Sequence, residues 1–358
     1  MQGKMKAWVF YEPENMKLEQ VDIPQVGPDE VLVRIKACGI CGSDIAYYWG
    51  QSSLETADGK GPLILGHEMT GEVVELGDLP GKLGLFAKGD RVAIDPVQYC
   101  NACEVCKKGQ PNLCENKNVL GVSVNGAFAE YMKSKYTSLF KLPGNVSFEQ
   151  GAFSEPLADA MYAVQNLEVT LGDFAVVIGP GPIGLAEAQL IKSSGAGTVA
   201  VVGTRDYRLE VAKKAGADHV FNTADAGSKY YVPDIKKKVA ELTGGKMADR
   251  VLVATGNPRV MELPFQLSGR RSVIVFFGMP GDADVIKVPA LETILWDKKI
   301  RFSWLAPLTW PRAINAISTG LIDVDALVTH TYKLEDLIQG LEDVKNRKGN
   351  PLKALVAP

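Results

Sequence analysis

The sequence is poor in histidine, three in 358 residues, and has no excess of basic charge and no long apolar run. Lys and Arg number 39 against 42 Asp and Glu, a formal charge of -3, and no segment concentrates the cations. Nucleic acid and anionic membrane surfaces call for such a concentration, so a small-molecule partner is expected, with no nucleic acid and no membrane. No stretch approaches the ~18 apolar residues of a membrane span. The N-terminal MQGKMKAWVFYEPENM turns acidic and Pro-containing before an apolar run reaches signal length. A cytoplasmic protein is expected. Internal repeats and low-complexity tracts are missing too. What is present, 46% hydrophobic and 23% charged residues, is the composition of a globular chain. Its length suits roughly two domains at about 150 residues each.

Four of the six cysteines fall within one loop-like stretch, YCNACEVCKKGQPNLC, as Cys100-x2-Cys103-x2-Cys106-x7-Cys114. Thiolates so spaced can close around one tetrahedral Zn²⁺, and a site made of four leaves no position for substrate. The expectation is a structural zinc lobe at about 95–117. Disulfides are the alternative, but the spacing is unlike a disulfide scaffold in a chain this long.

Up to about residue 150 the sequence reads as short strands, KAWVF, EVLVRIKA, TGEVVELG and DRVAIDP, bounded by Gly, Pro or Asp. From about 157, apolar strands such as FAVVIG, TVAVVG, HVFN, RVLVAT and SVIVFFG alternate with helical stretches. That alternation predicts βαβ units and a parallel sheet covered by helices, so the fold class is α/β. After FAVVIG comes Gly179-Pro180-Gly181-Pro182-Ile183-Gly184. Gly179 suits a tight turn, Gly181 a close approach to a pyrophosphate, and Gly184 close packing of helix on strand. An acidic residue for the ribose 2′-OH is expected about twenty residues on, yet TVAVVG ends in Gly203-Thr204-Arg205. Without the carboxylate, Thr204, Arg205 and Arg208 can hold a 2′-phosphate, so NADP is favoured over NAD. The alternative has Arg205 stacking on adenine while Asp206 stands in for the acid. Thr255, at the end of RVLVAT, joins the cofactor-binding candidates.

Three further segments hold one thiol, one imidazole and spare carboxylates: Cys41-Gly42-Ser43-Asp44, Gly66-His67-Glu68 and Ser154-Glu155-Pro156. A catalytic Zn²⁺ needs three protein ligands and an open position, and a hydride-cofactor fingerprint lies in the same chain. Taken singly, His67 reads as a satisfied core residue and Cys38-x2-Cys41 as a redox pair.

GICGSD, GHEMTGEVVELG, GDRVA, the four-cysteine lobe, GPGPIG, TWPRAINAISTG and ALVTH, in this order, resemble the zinc-dependent medium-chain dehydrogenase/reductase superfamily, and within it the polyol (sorbitol dehydrogenase-like) branch. The resemblance implies a GroES-like β-rich catalytic domain at 1–156, a Rossmann domain with a doubly wound parallel sheet at 157–297, and a return to the catalytic domain at 298–358. It implies two zinc ions, one catalytic and one structural. Cys41 and His67 match catalytic zinc ligands, with Glu155 or Glu68 as the third. Ser43 matches the hydroxyl that takes the substrate proton, and Asp44 a carboxylate that fixes the His67 ring. Tyr47 matches a pocket residue, with plain packing as the alternative. Arg301 matches an arginine that reaches substrate, with a surface ion pair as the alternative.

In two places the chain departs from the family pattern. Ala46 stands where a relay histidine is usual, and Gly203 where the acid is usual. The implied activity is hydride transfer between a polyol, sugar or other secondary alcohol and NAD(P), by a homodimer or homotetramer. A threonine or aldose 1-dehydrogenase is the nearest alternative. A zinc-free reductase of the superfamily would lack the ligand set, and a non-catalytic member would have no need of it.

Overall fold

The computed structural model describes residues 1–52 and 61–358, which form two compact units. One comprises Met1–Pro156, Trp310–Ser318 and Val328–Pro358, the other Leu157–Thr309 and Thr319–Leu327.

In the first unit the organising element is the strand Glu30–Ile40, whose Val31, Leu32, Val33, Ile35, Ala37, Cys38 and Ile40 are all buried. A strand apolar on both faces must be covered on both, and it lies inside the larger sheet of this unit. Glu68–Leu76 pairs with it antiparallel along one edge, and Tyr131–Lys135 and the C-terminal strand Lys353–Ala357 along the other. Beyond Lys353–Ala357 lies Val328–Lys333. Register decides what meets at the strand ends. Gly39 stands opposite Glu68, and Leu355 opposite Gly39, so Cys41, His67 and Lys353 arrive together although they are distant in sequence. The helix Trp310–Ser318 belongs to the same unit, and its Trp310 stacks on Phe140 with ring centroids 5.3 Å apart.

The second unit is a parallel sheet. Among the described residues its strand order is His219–Asn222, Thr198–Gly203, Phe174–Ile178, Ala248–Val253, Ser268–Phe276, Lys299–Phe302. Chain order reverses at Phe174–Ile178, which is where an open α/β sheet presents a crevice at its strand ends. The chain stays in this unit beyond residue 298, where its return was expected. Lys299–Phe302 pairs in parallel with Ser268–Phe276, and the first-unit segments begin only at Trp310. KIRF is half polar and lies on a sheet edge, so no apolar run marks it as a strand. No helix among the described residues is long and apolar enough to cross a membrane.

The helix Pro182–Ser193 is buried from Gly184 to Ile191, and Glu187 sits in that stretch with no exposure. Neither of its carboxylate oxygens has a hydrogen-bond partner among the described residues. Burial, and then the charge of Asp159, push the Glu187 carboxyl well above its ordinary range. An acid whose pKa is raised on folding costs nothing below its unfolded value of about 4.3 and costs progressively more as pH climbs above it. Glu187→Leu is therefore expected to stabilise the protein by about 1–3 kcal/mol at pH 8, with the gain shrinking towards pH 4. Thermal unfolding at both pH values checks this, and an equal shift at both would contradict it.

Candidate active site

Cys41 caps the short helix Gly42–Tyr48, and its backbone N–H donates to Asp44 Oδ2 at 2.8 Å. That bond fixes the Asp44 side chain, which is 2% exposed, and its other oxygen lies 3.4 Å from His67 Nδ1. A carboxylate on one ring nitrogen sets the tautomer and leaves Nε2 to bind. Ser43 Oγ lies 3.4 Å from His67 Nε2. Gly66, just before the histidine, has φ +92°, and a Cβ there would come within 2.8 Å of Phe128 and 2.9 Å of Cys38 Sγ. Only glycine turns the chain there and delivers His67 to the strand end.

One ligand atom each from Cys41, His67 and Glu68 lies within 4.8 Å of the others. Ligands of a tetrahedral zinc at about 2.0–2.3 Å are separated by about 3.3–3.8 Å, so sulfur, nitrogen and oxygen here fit one ion after small side-chain movements. Burial works against a charge on His67, but Asp44 and then Cys41 outweigh it and hold the ring well above its usual pKa. The same two groups would favour a metal cation at the free nitrogen of the ring.

Glu68 is 1% exposed, and Lys353 Nζ donates to both its oxygens at 2.6 and 2.8 Å. The same ammonium donates to Ile40 O at 3.3 Å. Its burial disfavours the charge, yet Glu68, then Cys41 and finally Glu155 raise the Lys353 pKa above its ordinary value. Glu155, in the first turn of the helix Ser154–Asn166, is thus close enough for its charge to act on Lys353, but it is outside the three-donor cluster. Lys353 was missed in the sequence. The signal was a single lysine inside the apolar run PLKALVAP, since a buried ammonium needs a counter-charge.

Other candidates fall elsewhere. Tyr47 is 5% exposed, packs edge-on to Phe10 at 5.6 Å and donates from its hydroxyl to Val122 O at 3.3 Å. Arg301, on the edge strand Lys299–Phe302, pairs with Glu168, which Lys299 also meets at 2.8 Å. Cys38 is fully buried, and burial pushes its thiol well up, as suits a core residue and not a redox partner.

The lobe cysteines are all free thiols. Cys100 Sγ lies 4.0 Å from Cys106 Sγ and Cys103 Sγ 3.8 Å from Cys114 Sγ, far beyond an S–S bond of about 2.05 Å and close to the about 3.8 Å edge of a ZnS₄ tetrahedron. Backbone N–H groups of Ala102 and Cys103 point at the Cys100 sulfur and pull its pKa down to about 6. Those two donors favour the thiolate form of Cys100, the form in which sulfur binds a metal.

In the second unit Gly179 follows the strand Phe174–Ile178 at φ +99°, and a Cβ on it would lie 2.9 Å from Thr255. A Cβ on Gly184 would lie 2.2 Å from Gly179 O, whereas one on Gly181 would meet nothing within 4 Å. The loop is tight where it packs and open at Gly181, ahead of the helix that starts at Pro182 and Ile183. A pyrophosphate fits there against the helix N-terminus. Thr204 and Arg205 are exposed beside it, and Arg205 makes no ion pair among the described residues. Arg208 Nε donates to the Tyr207 hydroxyl at 2.8 Å. Asp206 Oδ1 accepts from Ser228 at 2.6 Å and Asn222 at 2.8 Å, and these bonds hold its pKa low.

A family model described as the alcohol dehydrogenase GroES-like domain matches residues 27–144, and one described as zinc-binding dehydrogenase matches 182–319. Sorbitol dehydrogenase of Bacillus subtilis is 32% identical over 99% of this chain and 97% of its own length. L-threonine 3-dehydrogenase of Pyrococcus furiosus is 33% identical over 93% of each. The crystal structure of 2R,3R-butanediol dehydrogenase from Bacillus subtilis superposes with a TM-score of 0.88 at 29% identity, covering 99% of both chains. With matches to both family models and a relative of this identity along nearly its whole length, the chain belongs to the zinc-dependent medium-chain dehydrogenase/reductase superfamily, in its polyol, sorbitol dehydrogenase-like branch, and is an alcohol or polyol oxidoreductase.

Proposed function

We propose that the protein oxidises a secondary hydroxyl of a polyol or sugar with NADP⁺, or runs the reverse reduction, at a zinc held by Cys41, His67 and a carboxylate. The convergence of Cys41, His67 and Glu68 within 4.8 Å, with Ser43 beside the ring, carries this reading. When bound, zinc supplies a Lewis acid that polarises the hydroxyl, and the nicotinamide accepts hydride. Glu68 and Glu155 share the third ligand position, with Lys353 balancing whichever carboxylate is near. Ser43 Oγ receives the hydroxyl proton, and because Ala46 has no ring to relay it, Ser43 passes it on through water. Asp44 keeps His67 in one tautomer. Gly179, Gly181 and Gly184 shape the pyrophosphate loop, and Thr204, Arg205 and Arg208 meet the 2′-phosphate. The four lobe cysteines hold the second zinc, and cysteines kept out of disulfides suit the reducing cytoplasm.

Two zinc ions per chain are expected by metal analysis. In a screen of polyols, sugars, sugar acids and L-threonine, a polyol with NADP⁺ is expected to show the highest kcat/KM. One zinc per chain, or a preference for NAD⁺, would remove the corresponding part of the proposal. A second copy of the chain is expected along the edge strand Lys299–Phe302, where Phe302, Leu291, Ile294 and Leu295 are exposed. Sedimentation of Phe302→Glu should show loss of the dimer or tetramer, and an unchanged assembly would place the interface elsewhere.

A further inference from the structure

Position 203 is closed by a neighbouring ring. A Cβ built on Gly203 would lie 2.6 Å from Pro180 Cγ and 2.8 Å from Pro180 Cδ, with Leu209 Cδ2 at 3.3 Å. Neither partner has room to withdraw. Gly203 is the last residue of the strand Thr198–Gly203, in register with Asn222, and its carbonyl accepts from Thr223 N at 3.0 Å. Pro180 is the centre of a three-residue turn in which Gly181 N donates to Gly179 O at 2.8 Å, and Gly179 N donates to Val202 O at 2.9 Å. Its ring has a fixed φ, and a change of pucker moves Cγ but leaves Cδ, tied to the backbone nitrogen, at the second close contact.

We propose that Pro180 is a specificity-determining residue for the adenosine ribose: its ring fills the space that a ribose-binding carboxylate at 203 requires. The proposal rests on the NADP reading and extends it, because it gives that preference a steric origin as well as an electrostatic one. Absence of an acid at 203 is then a property of the loop and the strand together. Recognition of the ribose passes to Thr204 and Arg205, one and two residues further on, where the chain is exposed. An aspartate placed at 203 alone must push the loop out of shape and spoil the pyrophosphate cradle for either cofactor.

The experiment measures binding of 2′,5′-ADP and of 5′-ADP by calorimetry, together with thermal unfolding, on the full-length protein and on G203A, G203D, P180A and the two double variants. The unmodified protein is expected to bind 2′,5′-ADP at least about tenfold more tightly than 5′-ADP. G203A, which adds Cβ and no charge, should weaken both fragments and lower the unfolding temperature, and P180A/G203A should recover both. G203D should bind both fragments at least about tenfold more weakly, while P180A/G203D should regain 5′-ADP but not 2′,5′-ADP. If G203D alone gains 5′-ADP binding with no loss of unfolding temperature, or if P180A rescues neither variant, the proposal is overturned. Equal binding of the two fragments by the unmodified protein would overturn the NADP reading alone, since rescue by P180A is measured independently of it.

Discussion

His67→Ala is expected to lower kcat/KM at least about 10³-fold and to remove one zinc per chain, while the protein stays folded and still binds cofactor. A metal that polarises a reacting oxygen is worth several kcal/mol, and each 1.36 kcal/mol is tenfold in rate. His67 supplies the only imidazole of the cluster, and two donors cannot hold the ion in a geometry that leaves one open position. Cys41→Ser should behave alike. Asp44→Asn, which leaves all three donors in place but loosens the ring, should cost about 10–100-fold. Steady-state kinetics and metal content on the same preparations check the series. Full turnover in His67→Ala, or turnover of the unmodified protein that survives complete zinc chelation, would contradict it.

Lys353→Met is expected to destabilise the protein by about 3–5 kcal/mol, the usual cost of breaking a buried ion pair from one side. Lys353 is 4% exposed and Glu68 1%, so the abandoned carboxylate has no solvent to take up the charge. Glu68→Leu combined with Lys353→Met should recover most of the loss, because two apolar side chains leave no stranded charge. Chemical unfolding of the single and double variants measures both effects. A base whose pKa is raised on folding contributes fully below its unfolded value of about 10.4 and loses that contribution only above the folded value. The destabilisation by Lys353→Met should therefore be flat from pH 6 to pH 9. A double variant no more stable than the single one would show that the pair is not the source.

The parts of this site that could be read along the chain are those whose chemistry is local. The four lobe cysteines span fifteen positions, and the glycine loop follows its strand directly, so spacing alone carries the meaning. Cys41, His67 and Asp44 were recognised as fragments, but their convergence follows from the pairing of Gly39 with Glu68, which no local pattern encodes. Lys353 was out of reach for the same reason, since it meets Glu68 across 285 positions. Arg301 and Tyr47 show the converse: matched to a motif, they are engaged by Glu168 and by Phe10 and Val122, partners that only the fold supplies. The edge strand Lys299–Phe302 hid because its exposed faces leave no apolar alternation.

The placement of Lys353–Ala357 between Glu30–Ile40 and Val328–Lys333 bears on how the molecule is made. On the ribosome, all residues of the second unit emerge before Lys353–Ala357, so that unit can fold while the chain is still being synthesised. The other unit must wait with an interior slot in its sheet open and the Glu68 carboxylate without its ammonium. In that interval the exposed edge of Glu30–Ile40 is a template for any passing strand, and a nascent chain stalled before Lys353 would be a client for chaperones or a seed for aggregates.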